Sequence, residues 1–267
     1  MRTSILALLF LVGCGARGPA RSAVALGEPE TLPTTATPAP GEAALGPDFM
    51  VRELSSGVLL HVSWTELPEW GRISSNGLVV LGAREALLVD TTWDDGGTER
   101  LLDHVESAYG RRVSHAVVTH SHEDRMGGIR ALQRRSVTVH GLSLTAERAR
   151  AAGKPAPDQT FATEANLDVD GVHAEVFFPG AAHAPDNVVV WLPDVGVLFG
   201  TCMIRELAST SVGNLADASL DTWVASVSAV RRRVPAPRVV VPGHGEPGDA
   251  TLLDHTIALV RAAQRQP

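Results

Sequence analysis

The sequence is poor in cysteine: Cys14 and Cys202 are the only two in 267 residues. At most one disulfide can form, so a disulfide framework is excluded as the source of stability. There is no block rich in lysine or arginine, and the formal net charge is −7. A nucleic-acid partner requires a basic footprint, which is missing here. The run Arg231-Arg232-Arg233 falls at the end of a predicted helix, where cations meet the negative end of the helix dipole. No sequence repeat stands out. What is present is a chain 44% hydrophobic and 20% charged. It is long enough for one substantial domain with its own core and too short for two large ones.

The first residues differ from the rest. Arg2 precedes an apolar run from Ser4 to Val12 that is too short to span a bilayer and reads as a secretory signal. It ends in Leu11-Val12-Gly13-Cys14, which resembles a bacterial lipobox. Residues 1–14 therefore read as a lipoprotein-type signal with Cys14 as the lipidated residue. Acyl chains there would anchor the protein to a membrane without spanning it. By resemblance to Gram-negative lipoproteins the expected place is the periplasm, on the outer membrane. If Cys14 is lipidated, Cys202 has no disulfide partner, and a lone thiol in an oxidising compartment calls for burial or a metal. Residues 15–47, rich in Ala, Pro and Thr, cannot bury enough surface to offset chain entropy and read as a disordered tether. The domain is expected over 48–267.

Within it, short β-rich runs come first: Met50–Leu54, Val58–Trp64, Leu78–Leu81 and Ala86–Asp90. A helical pattern covers Thr98–Tyr109, a strand Val113–Thr119, a short helix Gly128–Arg134, a strand Val137–His140 and a helix Ser143–Ala151. Val188–Leu192 and Val197–Phe199 suggest a hairpin. Ser219–Arg233 reads as a helix with Ser219 as cap and Trp223, Val227 and Val230 as its apolar stripe. A strand at Val239–Val241 and a helix at Thr251–Gln264 close the chain. Two rounds of strands followed by helices suggest two β-sheets packed together with helices outside, an α/β arrangement that is neither Rossmann-like nor a pure sandwich.

Four features carry chemistry, each just after a strand or at a glycine turn. In His120-Ser121-His122-Glu123-Asp124, residues two apart point the same way along an extended chain, so three candidate ligands converge. Gly127-Gly128 then permits a sharp turn. The others are His183, Cys202 after Leu198-Phe199-Gly200, and His244 between Gly243 and Gly245. Imidazole, carboxylate and thiolate together suit zinc. Six such groups make two sites of three, each with room for water or substrate, as in catalytic zinc sites. The remaining histidines have no comparable setting.

This ordered set resembles the metallo-β-lactamase superfamily, and in detail subclass B1 of the class B β-lactamases. The resemblance covers the domain from about Asp48 onward. Asn76-Gly77-Leu78-Val79-Val80, Val89-Asp90-Thr91-Thr92-Trp93, the run from Asp186 to Pro193 and Gly213-Asn214-Leu215 support it. It implies an αββα sandwich of two mixed β-sheets with zinc at one edge. It also implies two zinc ions per monomer, with His120, His122 and His183 holding one and Asp124, Cys202 and His244 the other. Arg125 and Cys202 separate this pattern from thioesterase-like relatives, which offer a histidine after the aspartate and no thiol.

The implied activity is hydrolysis of the β-lactam amide of penicillins, cephalosporins and carbapenems by zinc-activated water, giving antibiotic resistance. Asp124 would orient the attacking water and Asn214 would donate to the developing oxyanion. Arg205 stands where the family usually has lysine and would clamp the substrate carboxylate, the alternative being a solvated surface arginine. Glu66–Gly71 resembles the mobile flap, with Trp70 as a lid and Trp93 on the opposite wall; ordinary core packing is the alternative for both. Ala182-His183-Ala184 departs from the usual Gly-His-Thr and removes a hydroxyl that could support the histidine. Two other readings compete: a different dizinc hydrolase on this fold, acting on a thioester, lactone or phosphoester, and a non-catalytic zinc-binding envelope lipoprotein. The expected partner is a small-molecule substrate, and a monomer is expected.

Overall fold

The computed structural model describes residues 41–265. Cys14, the signal segment and residues 15–40 of the expected tether lie outside the described residues. The chain builds two mixed sheets. The first has eight strands in sequence order: β1 (Glu42–Gly46), β2 (Phe49–Ser55), β3 (Val58–Leu67), β4 (Gly71–Leu81), β5 (Glu85–Val89), β6 (Arg112–Val117), β7 (Thr138–Leu142) and β8 (Gln159–Phe161). It is antiparallel through β5 and parallel from there on. The switch follows the connections: tight turns join the early strands, whereas α1 (Asp95–Tyr109), then α2 (Glu123–Met126) with α3 (Ile129–Arg134), then α4 (Ser143–Ala151) cross over between the later ones. The second sheet runs in the order β13-β12-β11-β10-β9, from β9 (Glu164–Val169), β10 (Val172–Phe177), β11 (Val189–Leu192), β12 (Val197–Thr201) and β13 (Val239–Pro242). It is antiparallel except for the β12–β13 pair, which α5 (Leu220–Arg233) connects; α6 (Thr251–Gln264) follows.

Three apolar layers hold these parts together. Val58, Leu60, Leu78, Leu87, Val176, Val190 and Phe199 fill the space between the sheets. Leu101, Leu102, Val105, Ile129 and Leu132 bury the outer face of the first sheet under α1 and α3. Trp223, Val227, Val230, Leu252 and Val260 do the same for the second sheet under α5 and α6. This is the αββα sandwich expected. Asp94 caps α1 by accepting from Gly97 N at 2.6 Å, and Gly110, at φ 63°, ends it in the left-handed conformation.

The structure amends several expectations. The domain starts before Asp48, because β1 pairs with β2 from Glu42 to Gly46. Its only large apolar side chain is Leu45, so composition hid a strand that β2 templates. Ser219 precedes α5 but makes no side-chain cap; its backbone N donates instead to Ala182 O at 2.7 Å. The structure adds strands β8, β9 and β10, which the sequence patterns do not predict. In β9 exposed Glu164, Asn166 and Asp168 alternate with more buried Ala165, Leu167 and Val169, a pattern of period two at the sheet's edge. The single turn α2 is too short to leave a periodic signature.

Candidate metal centre

The C-terminal ends of β6, β10, β12 and β13 open on one rim of the sandwich. His120, His122 and Asp124 follow β6, His183 follows β10, Cys202 follows β12 and His244 follows β13. These connections are tied across the sheets. Asn76 of β4 donates through Nδ2 to Pro242 O at 3.0 Å and Gly245 O at 2.7 Å. Asp186 accepts from Ser121 N at 2.9 Å and Val188 N donates to Thr119 O at 2.9 Å, which joins the His120 loop to the His183 loop. Gly243 has to be glycine: a Cβ there would lie 2.6–2.8 Å from Cys202 N, Sγ and Cα.

Six donor side chains converge as two triads. His120, His122 and His183 present ring nitrogens within 4.8 Å of one another, with His122 Nδ1 and His183 Nε2 3.3 Å apart. In the second triad Cys202 Sγ is 3.1 Å from His244 Nε2 and 3.5 Å from Asp124 Oδ2, and His244 Nε2 is 3.4 Å from Asp124 Oδ2. His120, Asp124 and Cys202 also offer atoms within 4.8 Å, so the triads adjoin. Donors about 2.0–2.3 Å from one tetrahedral zinc are separated by about 3.3–3.8 Å; the His122–His183 distance and two of the three in the second triad fall in that range, and the third is slightly shorter.

Burial leaves the imidazole lone pairs available to a metal. Burial holds His120 and His183 well below the usual imidazole value, and neighbouring His122 adds to this; burial and then Arg125 bring His244 down to about 4. All three are therefore neutral ligands at pH 7. Burial pushes Asp124 up, but the Arg125 guanidinium, 2.8 Å from Oδ2, and His244 overcome it and hold the carboxylate ionised. Cys202 is the exception: burial raises its thiol strongly, against the opposing pull of Arg125. A dication beside the sulfur would reverse that, because it favours the thiolate directly.

The supporting residues went largely unread in the sequence. Arg125 is wholly buried and donates to Asn76 O (2.6 Å), Gly243 O (2.8 Å) and Cys202 Sγ (3.0 Å), with Asp90 Oδ2 at 3.4 Å. His122 Nε2 donates to Asp217 at 3.0 Å, and Arg148 also meets that carboxylate. His244 Nδ1 donates to Ser74 O at 2.5 Å. His183 Nδ1, by contrast, is buried with no hydrogen-bond partner among the described residues. Only its place between Ala182 and Ala184 hinted at this.

The other predicted site residues lie on three connections: Arg205 and Asn214 between β12 and α5, Trp70 between β3 and β4, and Trp93 between β5 and α1. Arg205 lies three residues after Cys202, with its guanidinium 3.5–3.6 Å from where a Cβ on Gly213 would stand, so it adjoins the Asn214 loop. Burial lowers its pKa, and its charge acts on His183 and His244. Asn214 is exposed, and its Oδ1 accepts from Ala216 N at 2.9 Å. Trp70 is half-buried in the turn between β3 and β4. Trp93 is half-buried as well, with Nε1 donating to Ser63 O at 3.2 Å.

A family model described as the metallo-β-lactamase superfamily matches residues 70–244. The chain belongs to that superfamily. As a member it is a hydrolase, and the match spans the whole rim from Trp70 to His244. It is 36% identical to the metallo-β-lactamase type 2 of Bacteroides fragilis over 213 residues, 80% of this chain and 86% of that protein. It is 38% identical to that of Bacillus cereus over 213 residues, 79% and 82% of the two chains. Among solved structures, TMB-1 superposes with a TM-score of 0.79 at 38% identity, covering 82% of this chain and all of that one. A metallo-β-lactamase from Pontibacter korlensis gives 0.78 at 39%, with the same coverage.

Proposed function

We propose that this hydrolase is a dizinc β-lactamase of subclass B1, opening the lactam amide of penicillins, cephalosporins and carbapenems and so conferring resistance to them. The observation that carries the reading is the Asp124–Cys202–His244 triad beside three histidines, a mixed donor set that a single structural zinc does not need. His120, His122 and His183 would hold one ion, and Asp124, Cys202 and His244 the other. Bound zinc supplies a water of lowered pKa and a Lewis acid for the carbonyl.

The chain's own groups do the rest. Asp124, kept ionised by Arg125, accepts a hydrogen bond from the attacking water and aims it. Arg205 pairs with the substrate carboxylate through its planar fork, close enough to the centre to fix the lactam over it. The Asn214 amide, exposed on the adjoining loop, donates to the carbonyl oxygen as it gains charge. Trp70 and Trp93 supply apolar walls that exclude water from the bound ring. No serine nucleophile is required, since water attacks directly.

The proposed setting is the periplasm, with the protein monomeric and held at the outer membrane by lipid on Cys14. A Cys14→Ser variant should move from the membrane fraction to the soluble fraction; a wild-type protein found soluble would reject the anchor.

Hydrolysis of a penicillin, a cephalosporin and a carbapenem by the purified zinc-loaded protein, with and without chelator, tests the activity. Chelator-sensitive turnover is expected. Zinc-replete protein that turns over none of the three would reject the reading. A Cys202→Ser variant with full zinc content and activity would reject the ligand assignment.

A further inference from the structure

Thr201, the residue before Cys202, has φ 50°, the left-handed region, and is completely buried. That conformation is uncommon for any residue with a Cβ and a genuine outlier for a β-branched one. Something has to hold it there. Part of the answer is backbone: the β12–β13 register slips between Phe199 and Thr201, and Thr201 O accepts from Gly243 N at 2.9 Å and Ile204 N at 3.1 Å. This bulge carries the chain off the sheet and brings Cys202 up against Gly243. A glycine could make the same turn without strain. The bulge therefore explains the backbone conformation and leaves the threonine side chain unexplained.

The hydroxyl supplies the reason. Asp90 accepts from Thr119 N at 2.7 Å and from Thr119 Oγ1 at 2.8 Å. With its proton directed at Asp90, Thr119 Oγ1 can only accept from Thr201 Oγ1, 2.8 Å away. The Thr201 proton is then committed in turn, and the lone pairs of both hydroxyls are left for His120 Nδ1, at 3.4 Å from Thr119 and 3.5 Å from Thr201. His120 Nδ1 therefore carries the hydrogen, and Nε2 is the bare nitrogen. Nε2 is buried with no hydrogen-bond partner among the described residues, on the side where His122 and His183 converge.

We propose that Thr201 is a positioning residue of the metal centre: its strained backbone places Cys202, and its hydroxyl closes the Asp90–Thr119–Thr201 chain that fixes the His120 tautomer with Nε2 free for metal. One residue thus links the first triad to the second. The inference rests on the metal-site reading but not on the identity of the substrate.

Three variants test it: Thr201→Gly, which keeps the turn and loses the hydroxyl, Thr201→Val, which keeps the branch and loses the hydroxyl, and Thr201→Ser, which retains the hydroxyl. The readouts are stepwise zinc affinity by competition with a chromophoric chelator, the absorption spectrum of the cobalt-substituted protein, and the melting temperature of the chelated protein. Thr201→Gly is expected to melt at or above the wild-type temperature, because backbone strain is relieved. Its affinity for zinc at the three-histidine site should fall by about 10- to 100-fold, the range for losing a hydrogen bond that orients a ligand. Its cobalt visible bands should shift. Thr201→Val should lose affinity similarly, and Thr201→Ser should recover it to within about threefold of wild type.

Wild-type affinity and an unchanged cobalt spectrum in Thr201→Gly would overturn the proposal. If Thr201→Gly fails to fold, the Val and Ser pair decides: equal affinities for the two would overturn it. If the wild-type protein binds two zinc ions but hydrolyses no β-lactam, the functional reading fails while these affinities still judge Thr201.

Discussion

The guanidinium of Arg125 lies 3.0 Å from the sulfur of Cys202, and both side chains are closed to solvent. A buried thiol resists ionisation, and a buried cation needs partners. Here each meets part of the other's need, while Asp124 at 2.8 Å supplies the anionic charge that Arg125 requires; Asp90, 3.4 Å away, is pushed up to about 7 by burial and is a partial anion at neutral pH. The same guanidinium binds Asn76 O on the first sheet and Gly243 O beyond the second, so it holds the two halves of the rim in register.

Arg125→Ala is therefore expected to be severe. It takes the buried cation away from Asp124 and Asp90 and removes a donor from Asn76 O and Gly243 O, which should cost about 3–5 kcal/mol of stability. Denaturant unfolding of the chelated protein measures this; a loss below about 1 kcal/mol would show that the network is not cohesive.

Ala184→Ser should help rather than harm. His183 Nδ1 is buried without a hydrogen-bond partner among the described residues, and a hydroxyl on the next residue offers an acceptor that would fix the ring. Zinc affinity at the three-histidine site should rise by about tenfold, the lower end of what such partners contribute. Unchanged affinity in a chelator competition would mean that the hydroxyl does not reach the ring.

Acid should weaken the fold through His61. Burial brings this histidine down from 6.5 to about 4, and Arg125 adds to the effect against the hydrogen bonds it donates to the Asp90 and Val89 carbonyls. Between those two values the unfolded chain binds a proton that the folded chain refuses. Stability is therefore fully present above pH 6.5 and declines as pH falls toward 4, by about 3 kcal/mol for this group. His61→Gln in the chelated protein should flatten the slope over that window; an unaltered slope would assign the acid sensitivity elsewhere.

Arg205→Ala should raise KM for a β-lactam by about 10- to 100-fold with kcat changed far less, because a charged hydrogen bond to the carboxylate is worth about 1.5–3 kcal/mol in both ground and transition states. Arg205→Lys should restore most of it. A kcat loss equal to the loss in kcat/KM would place Arg205 on the reacting carbonyl instead.

The order of donors along the chain carries the resemblance that implies the fold, and it names the six side chains that the structure brings together. His120, His122 and Asp124 at alternate positions after a strand, with His183, Cys202 and His244 at later strand ends, are local patterns, and strand periodicity fixes which way their side chains face. The outer helices Ser143–Ala151 and Thr251–Gln264 were legible for the same reason, since helical spacing is a property of neighbouring residues; neither carries a side-chain N-cap. Edge elements were not: β1 and β8 carry little apolar surface and exist because a neighbouring strand templates them.

Tertiary structure alone decided what surrounds the donors. Nothing adjacent to Arg125 in sequence shows that its guanidinium spans from Asn76 to Gly243. Asp217 reaches His122 across 95 residues and Thr201 reaches Thr119 across 82. Such contacts depend on how two sheets stack, which no local pattern encodes. The strain at Thr201 is the clearest case: the sequence shows an ordinary threonine before a cysteine, and only the bulge between β12 and β13 puts it in the left-handed region with its hydroxyl 2.8 Å from that of Thr119.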